Sequence, residues 1–487
     1  MGGNWSATDK PVLPGFFLNF QAAALNAIVP GSQGIVIVPV RANWGPVGQF
    51  VEIASEKELV DAYTVDETGG ATAYTSIRLA LLGAPQKVIG YRLAASAAAA
   101  TITLQDTTGS PVNVLKIDAK YPGSRGNTFK VTVAVNPIDS AKKDIKLFEG
   151  TTLLRTFTFT SGTVAAAVDA INSDTSNQWI VATKLVDGNG TLANVSTQSF
   201  TGGTSGIAGI ANSDYTNALA AFETQTFHVL ALDGLSDSAL HTSVVAWVSR
   251  VRSEGKGIIA VLGGSASDDI ASDAVSKATT RSATYNHEGI VNVGSGAKLD
   301  GVSLSSAQIS CFVAGLIAGK ALNQSTTYAI APFVDVTRRW TRSEQELAIK
   351  GGVFLLYHDG RQVKVLRGMN SLVTLRTGQS KLWKKIRSTR VMDAINADLQ
   401  RTAEDSYIGK VNNTEEGRLA LISACKQYLQ TLASSGVIEQ AGFNVILDPN
   451  YYATNASQTP EPDQVFLQWT AKLTDTMEQI FGTFIVQ

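Results

Sequence analysis

The heptapeptide GIVIVPV, residues 34–40, decides the fold class. It is a continuous apolar run, as in a strand buried on both faces, and such strands belong to sheets covered by helices on either side. Its surroundings agree. SEKELVDAY (55–63) and TAYTSIRLALLGA (72–84) read as helices, and KVIGYRLA (87–94) as the next strand. The same rhythm returns further along, with DYTNALAAFE (214–223) helical and FHVLAL (227–232) a strand. SDSALHTSVVAWVSRVRSEG (236–255) is then a helix ended by Gly255, GIIAVL (257–262) a strand, ASDDIASDAVSKATTR (266–281) one helix and GIVNV (289–293) a strand. Strands alternating with helices predict a mainly parallel, layered sheet. SSAQISCFVAGLIAGKAL (305–322) is apolar almost all round, which predicts a buried helix.

Between the two halves of this pattern the composition changes. From Ala95 to Gly203 the chain is rich in Thr, Val and Gly, in short alternating segments such as NTFKVTVAV and LLRTFTFT separated by turn signals such as YPGSRGN and DGNG. This predicts an inserted β-sandwich, with the poly-Ala stretch before it and TGGTSGIAG after it as hinges. Residues 1–34, with Pro11, Pro14 and Pro30, predict an arm rather than a domain. A third region starts near Gly352: a hairpin turning at HDG (358–360), two long helices (381–407 and 415–436, the second with Thr414 in front and Gly436 behind), and strands at FNVIL and VFLQWTAKL. The domain plan is therefore an arm (1–34), an α/β core (35–94 plus 204–351), a β-sandwich (95–203) and a C-terminal α+β domain (352–487). The fold class is α/β and α+β multidomain.

The final apolar run, Phe481 to Val486, is crowded with strand-formers and reads as a β-strand that must pair with something. FFLNF in the arm is likewise extended and apolar.

Lys+Arg of 40 against Asp+Glu of 41 leaves no net field for polyanions, so general nucleic-acid binding is disfavoured. Two distant cysteines, Cys311 and Cys425, suit a reducing compartment. MGGNWSATDKPVLPG lacks the basic and apolar regions of a signal peptide, and the longest apolar stretch falls well short of the roughly 20 residues that span a bilayer. A soluble cytoplasmic product is expected.

Chemistry is harder to find. VGSGAKLDG (293–301) lacks the Ser or Thr of a phosphate loop and reads as a turn. IIAVLGGSAS (258–267) could expose N–H groups to an anion, but tight strand-to-helix turns need glycine anyway. The four histidines show no metal-ligand spacing, and G-x-S-x-G is absent. No catalytic residue, cofactor or metal ligand is assigned. The soluble nucleotide-binding enzyme that VLGGS (261–265) would allow is the alternative of a different class. One charged cluster stands out: KLWKKIRSTR carries Lys381, Lys384, Lys385, Arg387 and Arg390 with no acid, either a solvated helix face or a contact for an acidic protein.

The order of several stretches resembles the contractile-tail sheath family of bacteriophages and phage-like particles. These are GIVIVPVRANWGPVGQFVEI (34–53), AQISCFVAGLIAGKALNQSTTYAI (307–330), TRSEQELAIKGGVFLLYHDGRQVKVLRGMNSLVTL (341–375), RVMDAINADLQRTAEDSYIGKVNNTEEGRLALISACKQYLQTLASSGVI (390–438) and DTMEQIFGTFIV (475–486), with PGFFLNF as the N-terminal arm. The resemblance implies a structural homo-oligomer: six-fold rings in a helical array around a tail tube, contracting to drive the tube through a host envelope. Tail tube, baseplate and tail terminator proteins are the implied partners, with no membrane or nucleic acid. It places the protein in the virion tail after assembly in the host cytoplasm; the sheath of an R-type bacteriocin or other contractile injection system is the near alternative. Phe16, Phe17, Leu18 and Phe20, and Phe481, Phe484, Ile485 and Val486, are then strands donated to neighbouring subunits. The basic cluster becomes the tube-facing surface, the sandwich faces outward, and VPGSQG (29–34) and QTPEPDQ (458–464) are flexible connectors.

Overall fold

The computed structural model describes residues 2–3, 16–17, 28, 31 and 34–486. The chain divides into two compact units, Gln33–Arg390 and a second made of Met1–Ser32 with Val391–Gln487.

The larger unit is organised by a seven-stranded sheet in the order Val353–Phe354, Ile290–Val293, Ile259–Gly263, Val229–Ala231, Ile35–Arg41, Lys87–Leu93 and Phe50–Ile53. Every neighbouring pair is parallel except the last, where Phe50–Ile53 runs antiparallel along the edge. The opening heptapeptide lies at the centre. Val36, Val38 and Val40 join one apolar cluster and Ile37 the other; Ile259 and Val261 alternate in the same way with Ala260 and Leu262. Side chains of a strand point alternately to opposite faces, so two clusters interleaved residue by residue mean that both faces are covered.

The predicted buried helix is Ser306–Gly319, with a capping box between Ser305 and Gln308. It packs backbone to backbone against Ala73–Leu82: a Cβ at Gly315 would lie 1.9 Å from the Ala80 carbonyl oxygen. Helix Ser238–Ser253 ends as the sequence indicates, with Gly255 at φ 96°. The single helix expected over 266–281 is two, Ala266–Ile270 and Ala274–Tyr285. Ala271 between them is extended, and the Asp269 side chain turns inward onto the Ser306 N–H and hydroxyl.

The insertion has a four-stranded sheet (Thr152–Thr160, Lys142–Glu149, Phe129–Val135, Val195–Ser199) and a three-stranded one (Ile180–Lys184, Asn113–Ala119, Thr101–Gln105), all antiparallel, with helix Val164–Asn172 alongside. Its flanks are not hinges. They zip together through Ala95 N–H to Gly206 O (2.9 Å), paired Ala98 and Thr204, and paired Thr101 and Thr201. Trp44, from the loop after the central strand, is 1 % exposed and sits in the sandwich's apolar cluster, edge-on to Tyr121 and Phe129.

In the smaller unit, helix Glu415–Ser434 is capped by the Thr414 side chain. Strands Asn444–Leu447 and Leu467–Thr470 form an antiparallel pair, and Tyr451 stacks on Phe466 at 3.6 Å. Gly2–Gly3 pairs in parallel with Phe16–Phe17.

Candidate assembly surfaces

A doubly wound sheet binds ligands at the carboxyl ends of the strands where the order reverses. Here the reversal falls between Ile35–Arg41 and Val229–Ala231. That crevice is filled from within. Asp233, 2 % exposed, accepts from Arg41 Nε (2.8 Å), Thr72 Oγ1 (2.6 Å) and the Tyr215 hydroxyl (2.8 Å). The glycine-rich turns have packing roles as well. A Cβ at Gly263 would meet the Ser306 carbonyl at 2.2 Å, and Gly264 N–H donates to Ser306 Oγ at 2.7 Å. In the other turn, a Cβ at Gly296 would strike the Leu304 carbonyl at 2.3 Å, and Ser295 Oγ both donates to and accepts from the Leu356 backbone. A cleft nearby, lined by Ser236, Thr242, Lys277 and Arg281, offers cations that are already engaged: Lys277 by Asp268 at 2.9 Å, Arg281 by Asn292 Oδ1 and the Val293 carbonyl.

The isolated titratable groups follow the same rule. His241 is buried between the Leu235 carbonyl and the Tyr285 hydroxyl, and burial pushes its pKa down to about 4. Burial does the same to His228, whose Nδ1 accepts from Ile35 N–H. His358 sits in the predicted hairpin turn and accepts from Gly360 N–H. The Cys311 thiol, fully buried and donating to the Leu232 carbonyl, is pushed up to about 12. Asp269 is held up to about 6 by burial. Among the described residues no cluster of His, Cys, Asp or Glu has metal-ligand geometry.

The surface is where unfinished structure lies. Ile480, Phe481, Phe484, Ile485 and Val486 are 79–89 % exposed, and residues 480–486 belong to no strand among the described residues. The strand expected here is not formed among the described residues. Phe16 and Phe17 form the two-residue pairing described above, while Leu18 and Phe20 lie outside the described residues. So do Val29, Pro30, Ser32 and Gln33 of the expected connector. The other connector is exposed but pinned, with Asn413 Nδ2 donating to the Pro462 and Gln464 carbonyls.

The basic cluster divides. Lys381–Lys384 is a 3-10 turn and the α-helix begins only at Ile386, with Lys385 extended between them. Lys381 is exposed and Lys384 and Lys385 are half-buried, Lys384 donating to the Val373 carbonyl. Arg387 and Arg390 are 5 % and 7 % exposed, turned into the protein rather than along an open face. The alternation of Lys and Arg with apolar residues encodes this, since a helix beginning at Ile386 carries Arg387 and Arg390 one turn apart on one face.

Sequence reasoning missed Arg92. It is fully buried, and its guanidinium donates to the carbonyls of Gly45 (2.6 Å), Pro122 (2.6 Å) and Ser205 (3.3 Å). Gly45 belongs to the core, Pro122 to the insertion and Ser205 to the segment that leads back out of it, so one cation joins them. Its Nε–H has no partner among the described residues, and burial lowers its pKa to about 10. The signal lay in an arginine interrupting the apolar strand KVIGYRLA.

A layered α/β body whose switch-point crevice is filled by its own side chains, a β-sandwich joined to it by a paired stem, and exposed apolar strand-formers near the C-terminus fit a structural assembly subunit. The comparisons agree on which kind. Models of the phage tail sheath protein β-sandwich domain, central domain and C-terminal domain match residues 94–205, 208–371 and 378–487. The chain belongs to the phage tail sheath family. It is 27 % identical over 466 residues to the phage-like element PBSX protein XkdK of Bacillus subtilis, covering 90 % of this chain and 91 % of that one. Among solved structures it resembles the sheath tail protein of Desulfitobacterium hafniense, with 25 % identity and a TM-score of 0.69 over 94 % of this chain and 100 % of that chain. The contracted helical sheath of the anti-feeding prophage shares the fold, with a TM-score of 0.55 at 13 % identity over 98 % of this chain and 100 % of that chain.

No helix among the described residues is long and apolar enough to cross a membrane.

Proposed function

We propose that the chain polymerises as stacked six-membered rings around a tail tube and that the array contracts to drive the tube through a host envelope. One observation carries the reading: the bare run from Ile480 to Val486, strand-forming in sequence and exposed in the single chain. A two-stranded sheet is marginally stable in water, and Asn444–Leu447 with Leu467–Thr470 is such a sheet. A strand from a sister subunit would extend it by β-augmentation, burying apolar side chains and completing backbone hydrogen bonds on both sides. The N-terminal arm, with Phe16, Phe17, Leu18 and Phe20, supplies the second donated segment.

In this reading Lys381, Lys384 and Lys385 contact an acidic tube surface, and Arg387 and Arg390 support them from inside. The sandwich (95–203) faces outward. Tube, baseplate and terminator proteins are the partners, and the particle is completed in the host cytoplasm before it serves as a virion tail. The protein works mechanically rather than catalytically; the internally filled crevice at Asp233 supports this. A bacteriocin or injection-device sheath would use the same subunit mechanics.

Deleting residues 480–487 tests the proposal. The truncated monomer keeps its fold, because the side chains of residues 480–486 are exposed in the parent chain, and negative-stain microscopy finds no cylinders. Normal cylinders from the truncated chain overturn the proposal.

A further inference from the structure

The smaller unit contains a buried carboxylate that nothing above employs. Asp398, on helix Ile386–Thr402, is 2 % exposed and receives three donors from three parts of the chain. Tyr428, 1 % exposed on helix Glu415–Ser434, donates its hydroxyl to Oδ2 at 2.8 Å. Arg401 Nη2 donates to Oδ1 at 3.0 Å, one helical turn along. The third donor is the backbone N–H of Gly31, 367 residues away in sequence, which reaches the same Oδ1 at 2.8 Å.

The contact is built around glycine. A Cβ at residue 31 would stand 2.7 Å from Arg401 Nη1 and 2.8 Å from Asp398 Oδ1, so a side chain there displaces the very groups that hold the backbone. Three residues earlier, Ile28 is buried at 6 % exposure, a second anchor at the same place in the chain. A buried carboxylate accepting from a backbone N–H, a guanidinium and a phenol is well satisfied, and its bonds are stronger than neutral ones.

We infer that Asp398 is a positioning residue for the N-terminal arm: it clamps the arm's root at Gly31 onto the two long helices of the unit that also carries the C-terminal strand. The inference rests on the strand-donation reading and adds its missing mechanical part. A donated strand transmits load only if its root is fixed. The clamp delivers tension on the arm to the Asp398–Tyr428 contact between helices, and so to the same body from which the other donated segment departs.

Hydrogen exchange on the full-length chain before assembly tests the clamp directly, read on peptides spanning residues 28–34. Asp398→Ala removes the acceptor, and Gly31→Ala disturbs it from the arm side while leaving the helix pair intact. Both speed exchange at residue 31 by about tenfold or more. Both also raise the protein concentration needed to form cylinders. Tyr428→Phe removes only the bond to Oδ2; it lowers the melting temperature and leaves exchange at residue 31 within about twofold of the parent. Unchanged exchange in Gly31→Ala and Asp398→Ala overturns the clamp. Faster exchange with parental assembly overturns its positioning role. Failure of the unmodified chain to polymerise counts instead against strand donation, and the exchange measurement then decides the clamp alone.

Discussion

Phe484→Asp is the sharpest single perturbation of the assembly mechanism. In an extended segment Ile480, Phe484 and Val486 share one face with Gly482, and Phe484 is 89 % exposed in the single chain. Burying those three side chains against a neighbour contributes about 6 kcal/mol at roughly 2 each. About six ladder hydrogen bonds at ~1 kcal/mol each contribute about 6 more. Ordering about seven residues costs on the order of 8 kcal/mol. The net is about 4 kcal/mol per junction, or about a thousandfold in association constant. Aspartate forfeits the phenyl contribution of about 2 kcal/mol and adds a carboxylate whose desolvation costs at least as much, which cancels the junction. Pelleting across a concentration series, with microscopy of the pellets, should show the assembly threshold rising at least about a hundredfold. The melting temperature of the monomer should stay within about 1 °C, because the side chain is solvated there. Thr483→Asp, on the opposite face, should shift the threshold far less. A parental threshold in Phe484→Asp, or equal shifts in both variants, refutes the burial of the Phe484 face against a neighbour.

Arg92→Met should cost about 3 kcal/mol or more, since three buried carbonyls lose a charged donor, and the denaturant midpoint should fall accordingly; Arg250→Met, at an exposed pair with Glu223 and Glu254, should leave it nearly unchanged. His241 has a folded pKa of about 4 against an ordinary 6.5, so the unfolded chain takes up the proton first and stability drains away as pH falls through that window. Asp269, held at about 6, acts in the opposite sense, gaining stability as pH falls and losing it as pH rises through 6, so the histidine must be isolated by comparison. His241→Gln retains both hydrogen bonds without the charge, and denaturant titrations should show the parent losing about 2 kcal/mol or more relative to it between about pH 7 and pH 4.5. Lys381→Glu with Lys385→Glu should reduce co-sedimentation with purified tube protein and leave the melting temperature unchanged, whereas Arg387→Glu or Arg390→Glu should lower it, both being buried. Undiminished tube binding by the lysine pair variant removes them from the contact.

The core was legible because period and burial coincide in it. GIVIVPV could only be a strand covered on both sides, and Ser306–Gly319, apolar all round, could only lie inside. What the sequence hid depends on partners far away in the chain. Poly-Ala looks like a hinge until Thr204 and Gly206 come back to pair with it. A cationic run looks like a solvated face until a break at Lys385 starts a new helix and turns Arg387 and Arg390 inward. Arg92, Asp233 and Asp398 are single polar residues in ordinary elements, and their roles exist only once carbonyls, hydroxyls and guanidiniums from distant segments converge on them. The terminal strand-formers were legible as such, and they lie exposed, in no strand among the described residues.

The paired stem of the insertion also bears on how such proteins diversify. Because Ala95 and Gly206 meet across one hydrogen bond, everything between them leaves and re-enters the core at a single doorway. A foreign sequence whose ends lie equally close could be grafted there without lengthening the core, provided it brings an aromatic cradle for Trp44 and carbonyls for Arg92. If the sandwich faces outward as proposed, the exterior of the particle could then change its identity while the machinery beneath stays the same.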